Sequence, residues 1–165
     1  MGLSGLSTDF DKAKTHALKF LSYRDHGGGE LLAKLGIHYE PETAQKALEW
    51  LRELGYQDDR RYAEKLAALL IETKHYGMRK ARYELKAKGL PAEIIDDVLD
   101  EYYPEDVIDI LTELIERKYA DKLDDNDYSG VKKTVDALMR RGYDYGDIKT
   151  AISRVKEDLE LEDDG

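Results

Sequence analysis

The chain of 165 residues has no cysteine. That excludes a disulfide framework and thiolate chemistry, and makes a reducing, cytoplasmic location the simple reading. No apolar run approaches the roughly 20 residues of a membrane span, so no membrane is expected as a partner. The opening MGLSGLSTDF lacks the basic start and apolar core of a secretory signal. Proline is scarce, with three in all, at Pro41, Pro91 and Pro104. There is no GxxxxGK[ST] and no GxGxxG, so nothing supports nucleotide binding. The four histidines, His16, His26, His38 and His75, form no close helical pair and have no cysteine beside them. No metal or other cofactor is therefore expected. Carboxylates abound, but no pair stands out from a charged helical surface, so acid–base catalysis has no candidate and the chain is not expected to be an enzyme.

What is present is charge. Charged residues make up 38% of the chain, against about 25% in ordinary soluble domains. The net charge of −10 argues against a nucleic-acid binder when taken alone. Its distribution argues otherwise. Residues 60–90 hold 9 basic and 3 acidic residues, and residues 129–156 hold 7 and 3. Residues 91–128 hold 3 basic and 14 acidic, and the last nine residues hold 6 acids and no base. Two basic islands are thus each followed by an acidic block.

Helical periodicity dominates. Ala63, Leu66, Ala67, Leu70 and Ile71 form one apolar stripe after Asp58-Asp59, which suits an N-cap and a first-turn acid. A second helix is predicted over Met78–Lys88 after Gly77, with Gly89 as a left-handed C-cap. Pro91 opens a third, with Ile94, Ile95, Val98 and Leu99 as its buried face. The plan repeats. Pro104 opens a helix with Ile108, Leu111, Ile115 and Tyr119. Asp124–Gly130 reads as a solvated loop rather than a calcium site. Val131, Val135, Leu138 and Met139 line the next helix, which Gly142 ends, and Ile148, Ala151, Ile152 and Val155 line the last. Gly142 lies 53 residues after Gly89, and Gly77 aligns with Gly130.

An earlier copy is blurred. Ala13, Ala17, Phe20 and Leu21 line its first helix. Gly27-Gly28-Gly29 reads as a flexible break, followed by a short helix over about Glu30–Leu35. Pro41 then opens a helix with Ala44, Leu48 and Leu51, and Trp50 beside them is expected in the core or in packing between units. Pro41 and Pro91, like Leu35 and Leu85, are 50 residues apart. Such a period with three helices marks a helical repeat.

Gly55-Tyr56, Asp58-Asp59, Arg61-Tyr62-Ala63, Gly77, Arg79, Leu85, Lys88 and Gly89 together resemble the central motif of the RecX family, bacterial regulators of the RecA recombinase. Ala17-Leu18, Phe20-Leu21, Arg24 and Glu30-Leu31 look like its opening motif, and Leu138–Tyr143 like its closing one. The resemblance covers roughly residues 12–155. It implies an all-α fold of three tandem three-helix units in an elongated, curved array, drawn at residues 8–55, 56–103 and 104–160 with an acidic tail at 161–165. It also implies a non-enzymatic monomer that binds RecA filaments, restrains their ATPase and strand exchange in recombination, repair and the SOS response, and contacts single- or double-stranded DNA. A general DNA-binding module and an unrelated protein scaffold are the alternatives.

The candidate contact residues are the two islands. Arg79, Lys80, Arg82, Lys86 and Lys88 lie on the central helix, where Arg79, Arg82 and Lys86 share one face beside Tyr83, with Tyr76 just before the helix. Cations interleaved with aromatics suit phosphate contact and base stacking, or an acidic protein groove. A solvated face balanced by nearby acids is the plainer alternative. Lys132, Lys133, Arg140 and Arg141 form the second island. Arg140-Arg141 before a glycine also suits the carbonyls and dipole of a helix C-terminus.

Overall fold

The structure is a computed structural model that describes residues 5–124 and 128–163. Among these residues the regular elements are helical: α1 (Phe10–Tyr23), α2 (Gly28–Leu35), α3 (Pro41–Glu53), α4 (Asp59–Ala68), α5 (Met78–Ala87), α6 (Ala92–Tyr102), α7 (Val107–Lys118), α8 (Tyr128–Arg140) and α9 (Tyr145–Asp163). A π-helical turn, Leu69–Thr73, extends α4, and a 3-10 turn, Ala120–Lys122, follows α7. One isolated parallel bridge joins Ser7 to Tyr39. No helix among the described residues is long and apolar enough to cross a membrane.

The apolar stripes pair as the periodicity requires. α1 packs on α3, α4 on α6, and α7 on α9. Ala13, Ala17, Leu31, Leu48 and Leu51 are buried in one core, with Phe20 and Trp50 at its edge. Leu111, Ile115, Leu138, Ile148 and Val155 are buried in another. Asp9 caps α1 by accepting the Lys12 N–H at 3.1 Å, and Asp58 caps α4 by accepting that of Arg61 at 3.1 Å.

The chain forms two compact units, Met1–Leu69 with Arg82–Tyr102, and Leu70–Ala81 with Tyr103–Gly165. Each holds a junction in which the start of one helix meets the glycine that ends another. In the first unit the Gly29 N–H donates to the Gly89 carbonyl at 3.1 Å. In the second the Gly77 N–H donates to the Arg141 carbonyl at 2.7 Å, and the Arg79 N–H to that of Gly142 at 3.2 Å. Orphan donors of a helix start thus meet orphan acceptors of a helix end, and the positive end of one helix dipole faces the negative end of another. Gly89 and Gly142 take φ of +71° and +95°, the left-handed conformation that closes a helix and turns its last carbonyls outward.

The contact leaves no room for a side chain. A Cβ on Gly27 would stand 2.1 Å from the Lys88 carbonyl oxygen, and one on Gly77 2.4 Å from the Gly142 carbonyl carbon. The glycine triplet is therefore not a flexible break. Gly27 is the N-cap and Gly28 the first residue of α2. Gly27 and Gly77 are the corresponding positions, 50 residues apart like the prolines. Gly130, 53 residues after Gly77, keeps the same burial register, with Thr134 and Leu138 buried as Ala81 and Leu85 are, but it stands inside the first turn of α8, where its carbonyl accepts the Thr134 hydroxyl at 2.9 Å.

Three further expectations shift. α8 begins at Tyr128, so the end of the expected 124–130 loop is helical, while 125–127, with two of the loop's three aspartates, lie outside the described residues. α7 begins at Val107 rather than at Pro104. Met139 is exposed rather than part of the apolar face. Of the acidic tail, residues 164–165 also lie outside the described residues.

The α2 junction carries a polar cluster. Asp59 Oδ1 accepts the Gly28 N–H at 2.7 Å and the Gln57 side chain at 2.7 Å, and Asp59 Oδ2 accepts Arg52 Nη2 at 3.0 Å. A carboxylate at the start of a helix is favoured by both hydrogen bonding and the dipole. Next to it His26, 2% exposed, hydrogen bonds the Arg24 carbonyl through Nδ1 at 3.0 Å and Lys34 Nζ through Nε2 at 2.8 Å. Since Lys34 can only donate, Nε2 accepts and Nδ1 carries the proton. Burial lowers the His26 pKa, and the Arg24 and Lys34 charges add to this. Glu30 ionises below its usual range, because the Arg24 guanidinium, bonded at 2.6 and 3.0 Å, outweighs the effect of burial.

Two measurements check this fold. Gly55 has φ of +77° with nothing within 4 Å of an added Cβ, whereas a Cβ on Gly142 would lie 2.3 Å from the Lys80 nitrogen. In urea denaturation, Gly55→Ala is expected to cost about 1–2 kcal/mol, the left-handed strain alone. Gly142→Ala is expected to cost at least about 3 kcal/mol. The second test follows from His26. Its folded-state pKa lies below the unfolded value of about 6.5, so the unfolded chain takes up the proton first. The contribution is present above about pH 6.5 and drains away as the pH falls through the lower folded-state value. The urea midpoint of the wild type is therefore expected to drop between about pH 7.5 and about pH 5.5, and that of His26→Asn to drop less.

Candidate anion-binding surface

The structure sorts the predicted contact residues by what already holds them. Arg82 turns towards α6 and pairs with Asp96, so the face expected to hold Arg79, Arg82 and Lys86 is rearranged. The outward ridge of α5 is Arg79, Tyr83 and Lys86 instead, at spacings of four and three. All three are exposed, Tyr83 by 70%. Lys88 is half-buried beside the α2 junction, where its carbonyl oxygen faces Gly27. On α8, Lys132, Lys133 and Arg140 are exposed, and Lys133 shares a face with Arg140 seven residues on.

The second unit brings residues of the two islands together. Lys80, from α5, lies 4.3 Å from the centre of the Tyr76 ring, and Arg141, at the end of α8, lies 5.9 Å from it. Lys74 makes a third cation at 5.8 Å. Sequence reasoning missed Lys74, which is far in sequence from Arg141. Arg141 Nη2 donates to the Lys74 carbonyl at 2.6 Å, and the buried Arg141 Nε has no hydrogen-bond partner among the described residues. The expectation that Arg141 serves helix carbonyls is met in an altered form, since the carbonyl belongs to the loop after the π-helical turn and not to α8.

That loop is held firmly. His75 adopts φ of +54°, uncommon for a residue with a side chain. The Tyr143 hydroxyl donates to the His75 carbonyl at 2.7 Å. Burial, with Asp147 and Asp144 nearby, raises the Tyr103 pKa against the pull of the Met78 backbone N–H at the start of α5. Burial, with Tyr103 nearby, pushes the Tyr143 pKa up to about 12.

Elsewhere cations meet carboxylates: Arg24 with Glu30, Arg60 with Glu64 and Glu101, Lys65 with Asp25, and Arg154 with Asp109. Among the described residues, no ion pair holds Lys74, Lys80, Arg141, Arg79 or Lys86. Nor does any group of three or more His, Asp or Glu stand together as metal ligands among those residues.

Tandem three-helix units with this punctuation define a class of small, all-helical repeat proteins, and comparison with known proteins specifies the class. The family profile for the second three-helix domain of RecX matches residues 58–99, and that for the third matches residues 105–152. The regulatory protein RecX of Chlorobaculum tepidum is 35% identical over 144 residues, covering 87% of this chain and 88% of that protein. That of Vibrio campbellii is 33% identical, covering 88% and 93%. The crystal structure of RecX from Lactobacillus salivarius matches with a TM-score of 0.77 at 25% identity, covering 92% of this chain and 99% of that one. The chain belongs to the RecX family of regulatory proteins.

Tyr143→Phe keeps the ring and deletes the bond to His75. It is expected to cost about 1 kcal/mol by chemical denaturation at neutral pH. A raised phenol pKa contributes stability that is present below the unfolded value of about 10 and lost as the pH rises above it. The alkaline loss of stability is therefore expected to be smaller in Tyr143→Phe than in the wild type.

Proposed function

We propose that this protein binds the nucleoprotein filaments of the RecA recombinase and restrains their ATP hydrolysis and strand exchange, without chemistry of its own. Membership of the RecX family over both matched domains carries this reading. The exposed cations without internal counter-charge support it, because a recombinase filament on DNA is a polyanion and such cations gain most from meeting one. In this reading the protein acts as a monomer in the cytoplasm, in the pathways of DNA repair and the SOS response. Its three helical repeats at residues 8–55, 56–103 and 104–160 form the framework. The contact residues are Arg79, Lys80, Tyr83, Lys86, Lys132, Lys133, Arg140 and Arg141, with Arg82 and Lys88 as supports.

The test is the rate of single-strand-dependent ATP hydrolysis by RecA as the protein is titrated in. The wild type is expected to lower the rate. Arg79→Glu with Lys86→Glu is expected to weaken that effect about tenfold or more, with helicity unchanged. These positions are preferred to Arg82, whose reversal would also break its pair with Asp96. A wild type that neither binds the filaments nor changes the rate would refute the proposal.

A further inference from the structure

We infer that Lys74, Lys80 and Arg141, gathered round Tyr76, form one preorganised seat for a backbone phosphate of a nucleic-acid strand. The inference deepens the reading above: it takes from it only the filament as the source of the strand, and adds the residues and the ligand chemistry.

Three observations point to it. First, three cations converge on one ring, at 4.3, 5.8 and 5.9 Å from its centre, and no carboxylate among the described residues pairs with any of them. The Tyr76 ring attracts each cation, but their mutual repulsion stays uncompensated until an anion arrives. Second, the guanidinium is already oriented. Arg141 Nη2 is tied to the Lys74 carbonyl, while its buried Nε lacks a partner. A donor withdrawn from water and left unmatched within a protein is costly, and an anion beside the guanidinium would offset part of that cost through its charge without touching the buried nitrogen. Third, the frame is rigid. The Gly77–Gly142 contact fixes the residues before and after these cations, and Tyr143 pins the loop at His75. Little loop ordering remains to be done on binding, and the exposed Lys74 side chain is the part that an anion would order.

Phosphate fits better than carboxylate. Three positive groups of two geometries, one planar and two compact, suit the several oxygens of a phosphate. The positive end of α5 adds to the same potential.

The experiment uses the full chain without recombinase. Binding of a fluorescein-labelled polythymidylate strand is followed by anisotropy through a salt series. Lys74→Gln with Lys80→Gln is compared with Lys12→Gln with Lys19→Gln, an equal loss of charge on α1. The seat predicts that the first pair lowers affinity about tenfold at low salt and flattens the plot of log affinity against log salt by about 1.4, or about 0.7 per phosphate contact. The α1 pair is expected to change affinity less than about twofold. Equal effects of the two pairs, or no measurable strand binding by the wild type, would overturn the inference. So would polyglutamate competing as well as unlabelled strand, which would mark the partner as a carboxylate surface, or inorganic pyrophosphate competing as well, which would mark a site for free phosphate. Because recombinase is absent, none of these outcomes depends on whether the protein regulates RecA.

Discussion

Backbone meeting backbone through glycine is the constraint on which the rest depends. At Gly27–Gly89 and at Gly77–Gly142 the start of one helix comes so close to the left-handed end of another that no Cβ fits. The close approach lets the free amides of one terminus bond the free carbonyls of the other. Each junction ties a helical hairpin to a helix far away in sequence, which short three-helix units with small cores could not achieve by apolar burial alone. Other features follow from this contact. The π-helical turn and the left-handed His75 deliver Gly77 to Gly142. Because Arg141 immediately precedes Gly142, the same contact carries its guanidinium to Tyr76.

The two junctions are built alike but finished differently. At α2 the first amide meets the carboxylate of Asp59, buttressed by Arg52 and Gln57. At α5 the corresponding amide, that of Met78, meets the neutral phenol of Tyr103. The first junction carries its own negative charge at the positive end of the helix. The second places a neutral phenol there, with Asp147 and Asp144 near the phenol, and it is beside this helix start that Lys74, Lys80 and Arg141 collect. The difference shows how one repeated contact can serve as a closed structural joint in one unit and as a surface open to anions in the other.

Much of this was legible in the sequence, because its signals are local. Apolar residues at helical spacing located the helices within a few residues. Gly89 was identifiable as a left-handed cap, and Gly142 as the end of a helix, from their places after a helix. The RecX resemblance tied the three motifs together, and the matched domains bear out the family and the all-helical repeat. What could not be read depends on contacts far apart along the chain. Gly27–Gly29 looked like a break, because three glycines in a row signal freedom unless the backbone they face is known. Asp59 looked like an ordinary first-turn acid, since nothing local says that its carboxylate serves another helix. Arg82 was indistinguishable from Arg79 until Asp96 was found beside it. Lys74 drew no notice for the same reason, since only the folded chain sets it near Arg141.

The most direct test of the central claim is native-state hydrogen exchange of three amides, those of Gly29, Gly77 and Arg79. Amides at the start of a helix ordinarily lack intrahelical acceptors and exchange quickly. If the junctions hold as described, these three should be protected to a degree comparable with core amides such as those of Leu85 and Ile152. Exchange at the rate of free helix-start amides, in a protein whose core remains protected, would contradict the account.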